Sequence, residues 1–329
     1  MKRLSRLRLY LITIFGTSGI VLLCLLGAYF YILHEFDQPG PLLSSKIVTI
    51  APGNGTTNIA DKLYSFGIIF DPKIFVAGVW INGLSGSLQA GEYNFNKGIS
   101  PSDVMKKISQ GDVFTRKITF HEGITNDGVV SKINSYDTLV GNIYEMPLEG
   151  SLLPDTYIYR RGESRQSIID RMQVAMQRFL NKTWESRSDN LPYRRPEDAV
   201  TMASIIEMEA GMESERAIIS GVFINRLRLK MPLQSDPTVM YSITGGVGKL
   251  ERSLTRDDLA IQSPFNTYKI KGLPPHPISN PGRASLLAAL NPASTELLYF
   301  VANGKGGHRF AKSLKEHNKN VELWRQMKK

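Results

Sequence analysis

The sequence predicts an α+β protein in three parts: a single N-terminal transmembrane helix, a small α/β module, and a larger mixed α+β domain. Three observations carry this prediction. An uncharged run extends from Leu9 to Leu33, short strand–turn–helix patterns follow it, and long helix-period segments then lead to a glycine-centred hairpin. The chain has 329 residues, 42% of them hydrophobic, enough to bury a sizeable core.

The first element is Leu9–Leu33, 25 positions without a charge. As a helix it is roughly 37 Å long, enough to cross a hydrocarbon core of about 30 Å with some tilt. Lys2, Arg3, Arg6 and Arg8 precede it, a basic tip (residues 1–8) that suits a cytoplasmic N-terminus and also suits the start of a signal peptide. The length of the apolar run and the bulky Tyr29, Phe30 and Tyr31 after Ala28 favour an uncleaved anchor. Residues 34–45, "HEFDQPGPLLSS", then read as a linker outside the membrane.

The next elements are three strand–turn–helix units. "KIVTIAPGNGTTNIADKL" gives an alternating apolar run, then Ile59, Ala60 and Leu63 at helical spacing. "GEYNFNKGISPSDVMKKI" has Ser100 as N-cap and Pro101 in the first helical turn. "RKITFHEGITNDGVVSKI" repeats the pattern with Thr125, Val129, Val130 and Ile133. The module is expected over 46–113 and the larger domain over 114–329, with 114–145 a candidate second small module.

In the larger domain, Ser167–Leu180 has helical period, Pro196–Glu209 opens with proline and acid, and a further helix is expected from about Glu213 to Leu229. "ELLYFVANGKGGHRFAKSL" reads as two strands around a glycine turn before a closing helix to about Met327. "GLPPHPISNPG", with four prolines, is a rigid loop that would shape one wall of a site.

Composition narrows the chemistry. The only cysteine, Cys24, lies in the apolar run, so no disulfide or thiol chemistry is expected outside. The five histidines lack metal-ligand spacing, and neither a metal nor a cofactor is expected. The net charge of +10 falls to about +6 without the basic tip, which fits an anionic polymer or a lipid surface. No aromatic–basic recognition motif accompanies it, and nucleic acid is not an expected partner.

The candidate chemistry centres on Glu207, set among Ile205, Ile206 and Met208 in the last turn of a helix. The negative helix end and poor hydration would both raise its pKa and keep a proton available for a general acid. From pattern alone, a buried structural carboxylate fits as well. Glu209, about 200° further round the helix, is expected to pair with Arg216 or Arg226.

"ASIIEMEAG", "SERAIISGVFINRLRLKMPLQSDPTVMYSI", "EGSLLPDTY", "SPFNTYKIKGLPPHPISNPG", "NPASTELLYFVANGKGGHRF" and "SLKEHNKNV" together resemble the MltG (YceG-like) endolytic murein transglycosylase family. The strand–turn–helix region resembles LysM-like modules, which bind polymers containing N-acetylglucosamine. The family resemblance implies a lyase of the cell wall, on the outer side of the cell (inner) membrane, that cleaves MurNAc–GlcNAc β-1,4 bonds within nascent glycan strands and leaves 1,6-anhydroMurNAc ends. It maps the catalytic acid and base onto Glu207, and implies peptidoglycan glycan strands, and peptidoglycan synthases, as partners.

The resemblance sets the loop Gln234, Ser235, Asp236 and Thr238 beside the acid as substrate-positioning residues. Asn225, Glu149, Asp155, Tyr157 and Tyr268 are further candidates for sugar contact. Each has a plain alternative: Asn225 as a residue that fixes the loop, Asp236 and Asp155 as turn residues beside proline, Glu149 as an arginine partner, and the tyrosines as packing. Asp236, Glu149 and Asp155 are also the candidates for the second carboxylate that a muramidase would need. A non-catalytic glycan-binding scaffold is the remaining alternative. The chain departs from the family pattern at Met208, where a charge is common, and at Leu152 and Leu153, where aromatic residues often stand; these are expected to alter the grip on sugar.

Overall fold

The computed structural model describes residues 2–327, with side chains from Leu11 onward. The expected basic tip, Lys2, Arg3, Arg6 and Arg8, lies outside the described side chains. The chain divides into two units, Met1–Arg116 and Lys117–Lys329.

The first unit begins with one long helix, α1 (Lys2–Asp37). Its segment Leu11–Asp37 is long and apolar enough to cross a membrane. The residues expected to form a linker are packed instead: Phe36 and Leu42 are buried in the core of the unit, and the Gly40 amide donates to the Ile99 carbonyl at 3.1 Å. Apolar side chains at these two positions give the segment something to bury, which the polar composition around them concealed.

After α1 come β1 (Lys46–Ile50), α2 (Thr56–Ser65), α3 (Pro72–Ile81), β2 (Gly91–Phe95) and α4 (Pro101–Ser109). β1 and β2 pair antiparallel, Lys46 opposite Phe95 and Ile50 opposite Gly91. Val48, Ile50, Tyr93 and Phe95 meet Ile59, Leu63, Phe75, Val79, Val104 and Ile108 in one core. Ser100 caps α4 through the Asp103 amide, with Pro101 at its first turn, as the sequence predicts. α3 has no counterpart in the predicted pattern; Asp71 and Pro72 start it, and its apolar residues do not alternate with polar ones, which hid its period.

The boundary between the units falls at the first residue of β3 (Arg116–Thr119), which is followed by α5 (Asn126–Asn134), capped by Thr125. β3 pairs with β4 (Thr156–Tyr159). Then follow α6 (Arg165–Glu185), α7 (Pro196–Glu209), α8 (Arg216–Arg228), α9 (Asp236–Thr244), α10 (Arg283–Leu290), the antiparallel hairpin β5 (Tyr299–Ala302) and β6 (His308–Ala311), and α11 (Leu314–Met327). The hairpin turns through Gly304 and Gly306, both at positive φ, as its glycine spacing predicts.

α7 is the central helix of this unit. Pro196 occupies its first turn and the Asp198 carboxylate accepts the Arg194 and Arg195 amides. Every residue from Ala199 to Ile206 is buried, and a helix apolar all round has to be enclosed by others; here α6, α8 and α10 enclose it. Leu152 and Leu153 are fully buried. They are core residues, so their departure from the family pattern acts on packing and not on a sugar-gripping surface.

Candidate functional site

The end of α7 carries two glutamates with different surroundings. Glu207 Oε1 accepts from Arg216 Nη2 at 3.1 Å and Oε2 accepts from the Gly282 amide at 2.8 Å. Its side chain is only 6% exposed. Arg216 also reaches Ser285 at 3.1 Å and Glu122 at 3.5 Å. Both oxygens of Glu207 are therefore committed to tying α7 to α8 and to the start of α10. Glu207 is poorly hydrated, as expected, but neither of its oxygens is left free to meet a sugar. The expectation that Arg216 pairs with Glu209 is corrected: its carboxylate partners are Glu207 and Glu122.

Glu209 has the surroundings expected of an acid. Its Oε1 accepts the Ser235 hydroxyl at 2.6 Å. Its Oε2 has no hydrogen-bond partner among the described residues and is not sealed from solvent. Burial pushes its pKa up to about 7, with Asp236 pushing the same way, while the Ser235 bond and the charges of His308 and Arg226 hold it back. Arg226, the other expected partner, spends its guanidinium on the Leu298, Pro232 and Leu233 carbonyls and on Gln234 Oε1.

The loop after α8 is built to present Ser235. Gln234 takes a left-handed φ of 56° and its amide donates to the Thr267 carbonyl. The Ser235 amide donates to Thr267 Oγ1 at 2.9 Å, and the Thr238 and Thr267 hydroxyls meet at 2.8 Å. Tyr268 donates to Asp236 Oδ1 at 2.6 Å, and burial together with that bond pushes its phenol up. "QSDPT" and "FNTY" thus form one hydrogen-bonded platform beside Glu209.

On the far side, Glu215 accepts the His308 amide at 2.9 Å, and its other oxygen lies 2.7 Å from His308 Nδ1. The tip of the β5–β6 hairpin lies against the end of α7 so closely that a Cβ on Gly211 would come within 2.7 Å of the Gly306 carbonyl oxygen. Ser204, on α7, accepts the Ile278 amide at 3.0 Å and so fixes the proline-rich loop. Glu215, His308 and Ser204 escaped the sequence reading; the histidine inside "GKGGHRF" was the one available signal.

The structure brings Gln234, Ser235, Asp236, Thr238 and Tyr268 together around Glu209. The other candidates lie elsewhere. Asn225 donates to the Thr295 and Leu297 carbonyls and so holds the chain before β5. Tyr157 donates to the Leu153 carbonyl and packs on Phe120. Asp155 pairs with Arg283 at 2.7 Å; against burial, which raises it, that bond and the Thr156 amide hold its carboxyl low. Glu149 accepts from the Asn126 amide at 3.0 Å and Asn280 at 3.4 Å, with no arginine partner among the described residues, and burial pushes it up to about 7.

Comparison with known proteins gives a consistent picture. The model of the YceG-like family matches residues 48–323. A Bacillus subtilis (strain 168) protein named endolytic murein transglycosylase is 33% identical over 310 residues, covering 84% of each chain. A Streptococcus pneumoniae (serotype 2, strain D39) protein of the same name is 29% identical over 362 residues, covering 93% of this chain and 64% of its own. The crystal structure of a YceG-like protein from Listeria monocytogenes superposes with a TM-score of 0.52 at 32% identity, covering 84% of this chain and 99% of that one.

Proposed function

Because the chain belongs to the YceG-like family, we propose that it is a membrane-anchored endolytic murein transglycosylase, a lyase that cuts MurNAc–GlcNAc bonds within peptidoglycan strands, and that Glu209 is its acid and base. The names of the relatives support the reaction class. One observation carries the residue assignment: Glu209 is held by Ser235 on one oxygen, leaves the other without a protein partner among the described residues, and has a pKa pushed up to about 7.

The protonated carboxyl gives its proton to the glycosidic oxygen as the bond from C1 to that oxygen breaks. The resulting carboxylate then takes the proton from the muramyl C6 hydroxyl while O6 bonds to C1. The first proton leaves on the released hydroxyl, the C6 proton restores the carboxyl, and no water is consumed. Ser235 orients the carboxyl, Asp236 and Tyr268 line the approach, and His308, oriented by Glu215, adds a polar group on the other side. The apolar α1 is the anchor in this reading, with the N-terminus cytoplasmic and the active unit outside, and the β1–α2–α3–β2 module takes the LysM-like, glycan-contacting part.

Asp236 lies close enough to raise the pKa of Glu209, which keeps a two-carboxylate muramidase as the second reading. Digestion of defined glycan strands separates the two: anhydro ends support the lyase, and new reducing ends in their place overturn it.

A further inference from the structure

The first unit is fastened to the end of α1 in a way that fixes its height above the apolar run. Phe36 is buried, and its ring lies where a Cβ on Gly78 of α3 would come within 2.4 Å of it. Phe75, one turn earlier on α3, has its ring 6.2 Å from Phe36. Every described side chain of α1 from Leu11 to Tyr31 is exposed, but Ile32 and Leu33, within the uncharged stretch, are half-buried. α3 and α4 are the elements that meet α1.

Phe36 stands three residues beyond Leu33, about 4.5 Å along a helix. A headgroup layer is about 5–7 Å deep on each side of the hydrocarbon. α3 at the level of Gly78 therefore falls within that layer, if α1 crosses the membrane.

The outward side of α3 suits such a position. Among its ten residues, "PKIFVAGVWI", Lys73 is the only charged one. Val76 and Ala77 are half-buried, and Trp80, one turn on, is 74% exposed. Tryptophan is enriched at this depth because its ring is apolar and its N–H is polar. Residues 34–116 hold seven acidic and seven basic side chains, so the attraction would be apolar and not a response to anionic lipid.

We propose that the exposed face of α3, centred on Trp80, lies in the lipid headgroup layer, so that the first unit rests on the membrane surface and is not held off it by a tether. This depends on α1 spanning the membrane. A saccharide is the competing occupant, because Trp80 also borders a groove of about 600 Å³ with Thr57, Asp61 and Ser85.

The test uses the full chain in phosphatidylcholine vesicles whose acyl chains are brominated near the glycerol. With Trp184→Phe and Trp324→Phe, Trp80 is the sole reporter, and its emission is expected to fall at least twofold relative to unbrominated vesicles, unchanged by adding anionic lipid. Trp80→Ser in the otherwise natural chain, at an exposed position, should remove the quenchable fraction and so gives the same answer by difference. Chains that float with the vesicles while Trp80 stays unquenched would overturn the proposal and leave the anchor standing. A Trp80 that is unquenched and shifts its emission only with N-acetylglucosamine oligomers would assign the face to sugar. Failure to float at all would remove the anchor and the proposal together.

Discussion

Glu207 and Glu209 stand two residues apart at the end of α7, and only Glu207 is paired with a cation: Arg216 binds it at 3.1 Å, whereas Glu209 meets the Ser235 hydroxyl at 2.6 Å. A rotation of about 200° between them directs one towards the α8–α10 junction and the other towards the Ser235 loop. The two carboxylates therefore answer differently to the same substitution.

Glu209→Gln should abolish strand cleavage, by about 10²-fold or more for a lost general acid–base group, with no loss of melting temperature at pH 6. Glu207→Gln should act in the opposite sense. It weakens a buried ion pair and lowers stability by about 2 kcal/mol or more, while the folded fraction still cleaves. Thermal melts beside product analysis measure both effects, and a Glu207→Gln chain that is fully stable and inactive would return the acid to that position.

Ser235→Ala should move the alkaline limb of the kcat/KM profile to higher pH. The Ser235 hydroxyl bond favours the charged form of Glu209, so its removal raises the pKa and keeps the acid protonated further into the alkaline range. The limb itself is expected near pH 7 in the unsubstituted chain, since Glu209 must hold its proton to act. A profile that is flat from pH 6 to 9 would be incompatible with this assignment.

Stability should fall as pH rises between about 4.5 and 7. Burial raises Glu209 to about 7 from an ordinary 4.5, so in that window the folded chain holds a proton that the unfolded chain has released. The cost is absent below the lower value and complete above the upper one, on the order of 1–3 kcal/mol for this group. Glu209→Gln removes that cost, so its melting temperature relative to the unsubstituted chain should rise between pH 4.5 and 8. Glu149, raised to about 7 by burial, adds a slope of the same sign that persists in the variant.

Gly211→Ala should loosen the contact between the β5–β6 hairpin and α7. The added Cβ would sit 2.7 Å from the Gly306 carbonyl oxygen, a backbone atom that moves only with the hairpin tip. A loss of about 1–3 kcal/mol is expected for such overpacking, together with a rise in KM if the hairpin forms one wall of the substrate groove. Melting curves and steady-state kinetics on the same preparation check the pair of effects.

Much of the fold was legible because its signals are local. Pro196 with Glu197 and Asp198 marks the start of α7, Ser100–Pro101 that of α4, and the glycines at 304 and 306 the hairpin turn. α9 and α10 carry no comparable local signal, because each follows proline-rich or turn-like sequence and their burial depends on neighbours distant in the chain. The Ser235 loop is legible as part of a site, but the sequence places the acid on Glu207, whereas the bond to Ser235 and the raised pKa belong to Glu209. Helical phase separates Glu207 from Glu209, whereas the partners that distinguish them, Gly282 and Ser235, come from 75 and 26 residues further on.

The ring of Phe36 fills the interior of the first unit although it belongs to the helix that reaches the apolar run. Detaching that helix is therefore not a neutral act. A fragment that starts at Lys46 would carry a ring-sized hole against Gly78 and Phe75, at a cost of about 3–5 kcal/mol by analogy with other large aromatic deletions. Shedding by a protease and trimming by an experimenter meet the same obstacle, and a soluble form that keeps residues from about 34 should be the sturdier one.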